Sequence, residues 1–281
     1  MLATYLVYFF LLGVIIGSFL NVVILRHNTG KTVGGRSACM TCKTKLTGRE
    51  LVPLFSFLFQ KGKCLHCQAR ISWQYPLVEL STGVLFAANF YQYYAVTGFS
   101  FETFTLFALT SAILALMVAI FVYDLRHKII PDRFSFAAFG LSIAYAVAEI
   151  FLFKNQIWAT GTATAGSMIL NLSAGLIFYL GIYIIWKLSK GRQIGLGDAK
   201  LLLSIGTMLG LVYGLSAITV AFWIGTVFAV HLMLKGFFGR TAGRITMKSE
   251  IALGPFLIVG FLIVYFLRVD VTNLSLVLNN F

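Results

Sequence analysis

Acidic side chains are scarce in this chain: nine Asp and Glu stand among 281 residues, against 22 Lys and Arg. Charged residues of either sign make up only 11%, apolar residues reach 59%, and the mean hydropathy is +0.90. A soluble domain of this length would need far more polar surface, so that class is excluded. No glycine-rich strand-to-helix fingerprint of a soluble nucleotide-binding fold occurs, and no low-complexity tract. Cysteine is absent outside residues 26–75.

What is present is a series of long apolar segments. A bilayer core of about 30 Å demands about 20 apolar residues of a helix. Eight segments qualify, at about 2–25, 76–97, 103–123, 133–153, 163–186, 199–214, 217–234 and 251–268. The sixth and seventh are short and adjacent, which predicts a tight helical hairpin. The expected fold is an all-α polytopic membrane protein of about eight transmembrane helices. It divides into a first helix (1–25), a polar insert (26–75) and a transmembrane core (76–281).

Lys and Arg placement sets the orientation. With the N-terminus outside, the insert, the 124–133 loop and the two later inner loops collect the positive charge, leaving only Lys154 and Arg268 outside. The net charge of +13 is then explained by anionic lipid at the cytoplasmic face, with no nucleic acid partner. The first segment lacks a basic n-region and is too long for an h-region, so it reads as a retained helix.

In a chain so poor in acids, two aspartates at hydrocarbon boundaries stand out. Asp124 follows the third segment and Asp198 opens the sixth, within Gly195-Leu196-Gly197-Asp198-Ala199-Lys200. The topology puts both on the cytoplasmic side at similar depth. A carboxylate there is costly to keep, and marks a functional site by default. Two close carboxylates share one proton and together activate water, the chemistry of aspartic proteases. Which of the two is acid and which is base stays open. Intramembrane carboxylates also mark ion paths, so a carboxylate-based ion-coupled transporter is the alternative reading. It predicts acids near the midplane and often inverted repeats, neither of which is visible here. Lys200 is expected to snorkel to phosphate headgroups. Gly13 and Gly17 have the small-xxx-small spacing of close helix packing.

The insert carries Cys39-x-x-Cys42 and Cys64-x-x-Cys67. Four thiolates in two knuckles suit a tetrahedral, structural Zn²⁺ with no open position. Two disulfides are the other pairing, disfavoured by a cytoplasmic location. A metal would also stabilise a stretch too short to hold a core. His66, inside the second knuckle, reads as a solvated or hydrogen-bonded histidine, with replacement of one cysteine ligand as the alternative.

Several of these motifs, in order, resemble the prepilin peptidase family. The first helix carries Gly13-Val14-Ile15-Ile16-Gly17-Ser18-Phe19-Leu20-Asn21; the paired knuckles follow, then Trp73-Gln74-Tyr75-Pro76-Leu77-Val78-Glu79-Leu80. The two aspartate motifs come next, and Ala252-Leu253-Gly254-Pro255-Phe256 opens the last helix. Arg126 departs from the pattern, standing where many members have a second acid. The resemblance implies a bacterial cytoplasmic-membrane enzyme with Asp124 and Asp198 as catalytic residues, the second in the Gly-x-Gly-Asp pattern of presenilin-type proteases. It implies cleavage after a glycine that ends a short basic leader of a prepilin or pseudopilin. Methylation of the new N-terminal residue from S-adenosylmethionine would follow; a peptidase without methylation is also compatible. Glu79 is the one candidate for contact with the methyl donor. A basic leader meeting basic loops needs an intermediary, either anionic lipid or local attraction from Glu50, Glu79 and Asp132.

Overall fold

The bilayer offers no hydrogen bonds, so apolar segments satisfy their backbone internally and become helices. The computed structural model describes residues 1–30, 32–98, 100–152, 165–191, 194–238 and 252–272. In chain order the helices are α1 (Leu2–Arg26), α2 (Phe55–Phe59), α3 (Gln74–Thr97), α4 (Phe101–His127), α5 (Asp132–Leu152), α6 (Ala165–Leu188), α7 (Leu196–Phe238) and α8 (Gly254–Leu267). No strand occurs among the described residues, only two isolated β-bridges. Four helices, α1, α4, α5 and α7, are long and apolar enough to cross a membrane, with shorter apolar helices at Leu172–Leu188 and Gly254–Leu267. The expected beginning of the fifth segment, at 163, lies outside the described residues.

The chain forms two compact units, Met1–Phe107 and Ala108–Phe281, the boundary falling within α4. In the first, α1 lies along α3. Contact is close because both helices present glycine: a Cβ at Gly13 would lie 2.7 Å from the Thr82 carbonyl oxygen, and one at Gly83 would overlap Val14. Phe9, Phe90 and Phe107 fill the space beside them, with ring centroids 4.2 Å apart for the first two. The small-xxx-small reading of α1 therefore holds.

In the second unit α7 packs against α5, α6 and α8. Its 43 residues are two helices joined at Gly210, whose φ of 73° and ψ of −172° break the helix. A Cβ on Gly214 would lie 3.6 Å from the Gly206 Cα, whereas eight residues along a straight helix span about 12 Å. The chain therefore doubles back at Gly210. The expected hairpin is present, but it turns at Gly210 and not at 215–216, with arms at 196–209 and 211–238, and these arms complete eight long helical segments among the described residues.

A positive φ is open to glycine and costs other residues about 1–2 kcal/mol. Gly210→Ala is therefore expected to destabilise the detergent-solubilised protein by about that amount, read as a lowered midpoint of unfolding. An unchanged midpoint would show that the reversal does not depend on this residue.

A buried carboxylate pair and a four-sulfur cluster

Asp124 lies in the last turn of α4, not beyond its end, because the helix runs on to His127. Lys128, at φ 54°, stops it and donates its amide to the Asp124 carbonyl at 2.7 Å. Asp198 is the third residue of α7, and its amide bonds the Gly195 carbonyl at 3.2 Å. The two side chains are only 3% and 8% exposed. They are close enough for the charge of Asp124 to act on Asp198.

Glycines and one isoleucine bring them there. Ile130, in the link between α4 and α5, lies against Gly197, where a Cβ would come within 2.9 Å of its own Cβ. The Ile130 Cδ1 also lies 3.0 Å from the Cβ position of Gly254, and a side chain at Gly254 would strike the Asp124 carboxylate. At Gly195 a Cβ would sit 3.2 Å from Asp198 Oδ2. Glycine at 195 and 254 thus leaves room for the carboxyl groups, and glycine at 197 leaves room for Ile130. Sequence reading found Gly195 and Gly197. It missed the role of Gly254, whose only signal was the Ala-Leu-Gly-Pro motif that opens α8, and that of Ile130, in the link after Asp124.

Lys200 has a partner that the sequence did not indicate. Its Nζ bonds Asp132 Oδ1 at 2.6 Å, with the Phe136 ring 5.7 Å away. The reason is local: Asp132 begins α5, and a half-buried ammonium gains more from a fixed carboxylate than from solvent. The pair ties the first turn of α7 to the first turn of α5.

In the first unit Glu79 is 6% exposed. Its Oε2 accepts the Leu54 amide at 2.7 Å, and the Ser18 hydroxyl also bonds it. Close by, Asn21 donates to the carbonyls of Gly17 (3.3 Å) and Tyr75 (3.2 Å) and accepts from Gln74. The polar letters of the first-helix motif are thus spent on joining α1 to the start of α3.

The four cysteines come together, their sulfurs all within 4.8 Å of one another. A metal holding sulfur at about 2.3 Å in a tetrahedron requires S–S edges of about 3.8 Å, and Cys39 and Cys67 are 3.8 Å apart. The donor set therefore fits Zn²⁺, and no disulfide joins any of the four. The two knuckles are built alike. Cys39 accepts from Lys43 and donates to Thr44, Cys64 accepts from Gln68 and donates to Ala69, and Lys43 and Gln68 both have positive φ. Within the cluster the thiols differ. The Thr44 hydroxyl, then its amide, holds Cys42 down to about 6. At Cys67 the Ala69 amide favours thiolate, but desolvation and bonds to the other three sulfurs outweigh it and raise the group to about 11. Full deprotonation thus calls for a cation among them. His66 is outside the cluster, its Nε2 lying 3.5 Å from Glu50 Oε1. Glu50 itself accepts from the amide and hydroxyl of Thr47, both at 2.8 Å, and these bonds hold its carboxyl below the usual range.

Comparison with known proteins agrees along most of the chain. The bacterial peptidase A24 N-terminal domain matches residues 11–93, and the type IV leader peptidase family matches residues 111–230. A prepilin leader peptidase/N-methyltransferase of Bacillus subtilis is 30% identical over 257 residues, covering 91% of this chain and 92% of its own. The protein of that name from Vibrio cholerae is 30% identical over 271 residues, covering 93% and 96%. One from Myxococcus xanthus is 34% identical over 204 residues, covering 72% and 56%. No solved structure matches the chain.

The ion pair invites a double exchange. Lys200→Asp and Asp132→Lys should each lower the unfolding midpoint, and the combined variant should recover a coupling of about 0.5–1 kcal/mol, as expected for a partly exposed pair. Strict additivity of the two losses would mean that the contact contributes nothing.

Proposed function

The chain belongs to the type IV leader peptidase family, and from that premise we propose that Asp124 and Asp198 cleave the leader of a prepilin. Its activity is prepilin processing with methylation, in the inner membrane, as a protease and methyltransferase. The observation that carries the site assignment is the proximity of two buried carboxylates at helix ends, with glycine at 195 and 254 beside them.

Like charges at short range cannot both ionise cheaply, so one proton serves the pair. The ionised carboxylate removes a proton from water as its oxygen bonds the scissile carbonyl carbon. The protonated carboxyl donates to the carbonyl oxygen. Collapse of the tetrahedral species breaks the C–N bond, and the amine leaves with a proton returned from the pair. The core for this work is residues 76–281, with the loops rich in Lys and Arg on the cytoplasmic side and the N-terminus outside. A prepilin with a basic leader in the cytosol and an apolar helix in the bilayer presents its junction at that boundary. Glu50, Glu79 and Asp132 are each engaged within the protein, which supports anionic lipid as the intermediary for the leader.

Cys39, Cys42, Cys64 and Cys67 are the proposed zinc ligands. Four thiolates leave no coordination site for substrate, so the metal would hold the insert's two knuckles together and supply no catalytic step. Glu79 is the proposed contact for S-adenosylmethionine, because it stands near the start of α3 within the Trp73–Leu80 motif.

Co-expression with a prepilin substrate and weighing of the product tests the assignment. Asp124→Asn and Asp198→Asn should each abolish leader removal while the protein remains inserted; processing by either variant would sink the pair. An added mass of about 14 Da on the mature product, the increment of one CH₂ group, reads methylation separately. Cys39→Ser should lower zinc content and shorten survival of the insert under protease, with cleavage less affected. Glu79→Gln is expected to weaken methylation and spare cleavage, and equal methylation in both proteins would remove Glu79 from the donor site.

A further inference from the structure

The insert exposes a run of large apolar side chains that the chemistry above does not use. On α2 and its flanks, Phe55 is 54% exposed, Leu58 69% and Phe59 83%. Phe57 alone turns inward, its ring 4.9 Å from that of Trp73 and packed over Gly62. Basic residues border the run at Arg49, Lys61 and Lys63, all exposed.

We infer that this segment, residues 52–60, is an interfacial anchor resting in the headgroup–acyl boundary of the bilayer that α3 crosses. The inference rests on the reading of α3 as membrane-spanning and names the surface that meets lipid.

Depth is the first argument. The Leu54 amide is bonded by Glu79, which lies five residues into α3, or about 7–8 Å down its axis. The entry to α2 therefore sits level with the second turn of a membrane helix, the depth at which interfacial helices rest. The bond also holds a costly conformation. Leu54 has φ 60° and ψ −52°, and Phe55 donates to the Pro53 carbonyl at 2.7 Å, which makes a γ-turn with a non-glycine residue at its centre. A buried carboxylate thus pins the segment downward against α3 instead of letting it rise into water.

Continuity is the second argument. Trp73, Leu77, Leu80 and Val84 are all exposed, at 69%, 59%, 45% and 53%, and their spacing puts them on one face of α3. Phe57 touches Trp73 at the top of that stripe, so the apolar surface of α2 extends a face that already meets lipid. Charge is the third: exposed lysines beside an apolar surface suit anionic headgroups.

The test uses the whole protein in sealed vesicles of phosphatidylcholine and phosphatidylglycerol. Phe59→Trp and, as a second site, Leu58→Trp are compared with Met40→Trp, which lies in the first zinc knuckle and is 62% exposed. Unchanged zinc content confirms that each variant is folded. With lipids brominated near the headgroup, the added emission at 58 and 59 should be largely lost, while that at 40 should survive and yield instead to aqueous iodide. Iodide quenching at 58 and 59 without bromine quenching would overturn the anchor, leaving the face open to water. Protection from both quenchers would overturn it in favour of a protein occupant, substrate or second copy. Sidedness is read independently by adding iodide to right-side-out or inverted vesicles carrying Met40→Trp. An error about which side the insert faces therefore gives a different pattern from an error about depth.

Discussion

Two buried carboxylates near each other, Asp124 and Asp198, form the constraint around which the second unit is arranged. Each costs free energy to bury and more to bury beside the other. The surroundings answer that cost by geometry. Gly195 and Gly254 leave space beside Asp198 and Asp124, and Ile130 packs against Gly197 and Gly254. Behind this, the Lys200–Asp132 bond fixes the start of α7 to the start of α5. Around them the second unit is largely apolar packing, with polar contacts of its own such as the Ser142–Ser204 hydroxyl bond at 2.6 Å.

The first unit meets a different difficulty by different means. Its polar insert has too little apolar mass to form a core of its own. Three attachments replace one. The sulfur cluster joins the two knuckles, the Glu50–Thr47 cap closes the turn between them, and Glu79 binds the Leu54 amide to α3. Where the Glu50 cap is concerned, a carboxyl held below its usual range contributes stability above that range and loses it as pH falls through the folded value.

Much of this was legible in the sequence, and what was not has a common cause. Runs of apolar residues located every membrane helix to within a few residues, since length and hydropathy are local properties. The aspartates and cysteines were legible because scarcity and spacing mark them. The hairpin was signalled by two short adjacent segments, but its turn, expected at 215–216, lies at Gly210, where only the backbone shows it. Contacts between distant residues were not legible. Lys200 finds Asp132, 68 residues away, and Glu79 takes an amide 25 residues upstream; no pattern in either segment names its partner. The hidden role of Gly254 is of the same kind, since a missing side chain reveals its use only when the neighbour it spares is seen.

The first arm of the α7 hairpin has one more consequence. From 201 to 210 every residue is buried, so this arm is sheathed by protein rather than lipid, and its 14 helical residues (196–209) reach only about 21 Å. A helix in contact with acyl chains must tilt or distort when the bilayer swells or thins. This one is insulated from that adjustment, because its side chains meet protein and not acyl chains. The carboxylate it carries should therefore keep its setting in membranes of differing lipid make-up, as growth temperature and chain length change around it.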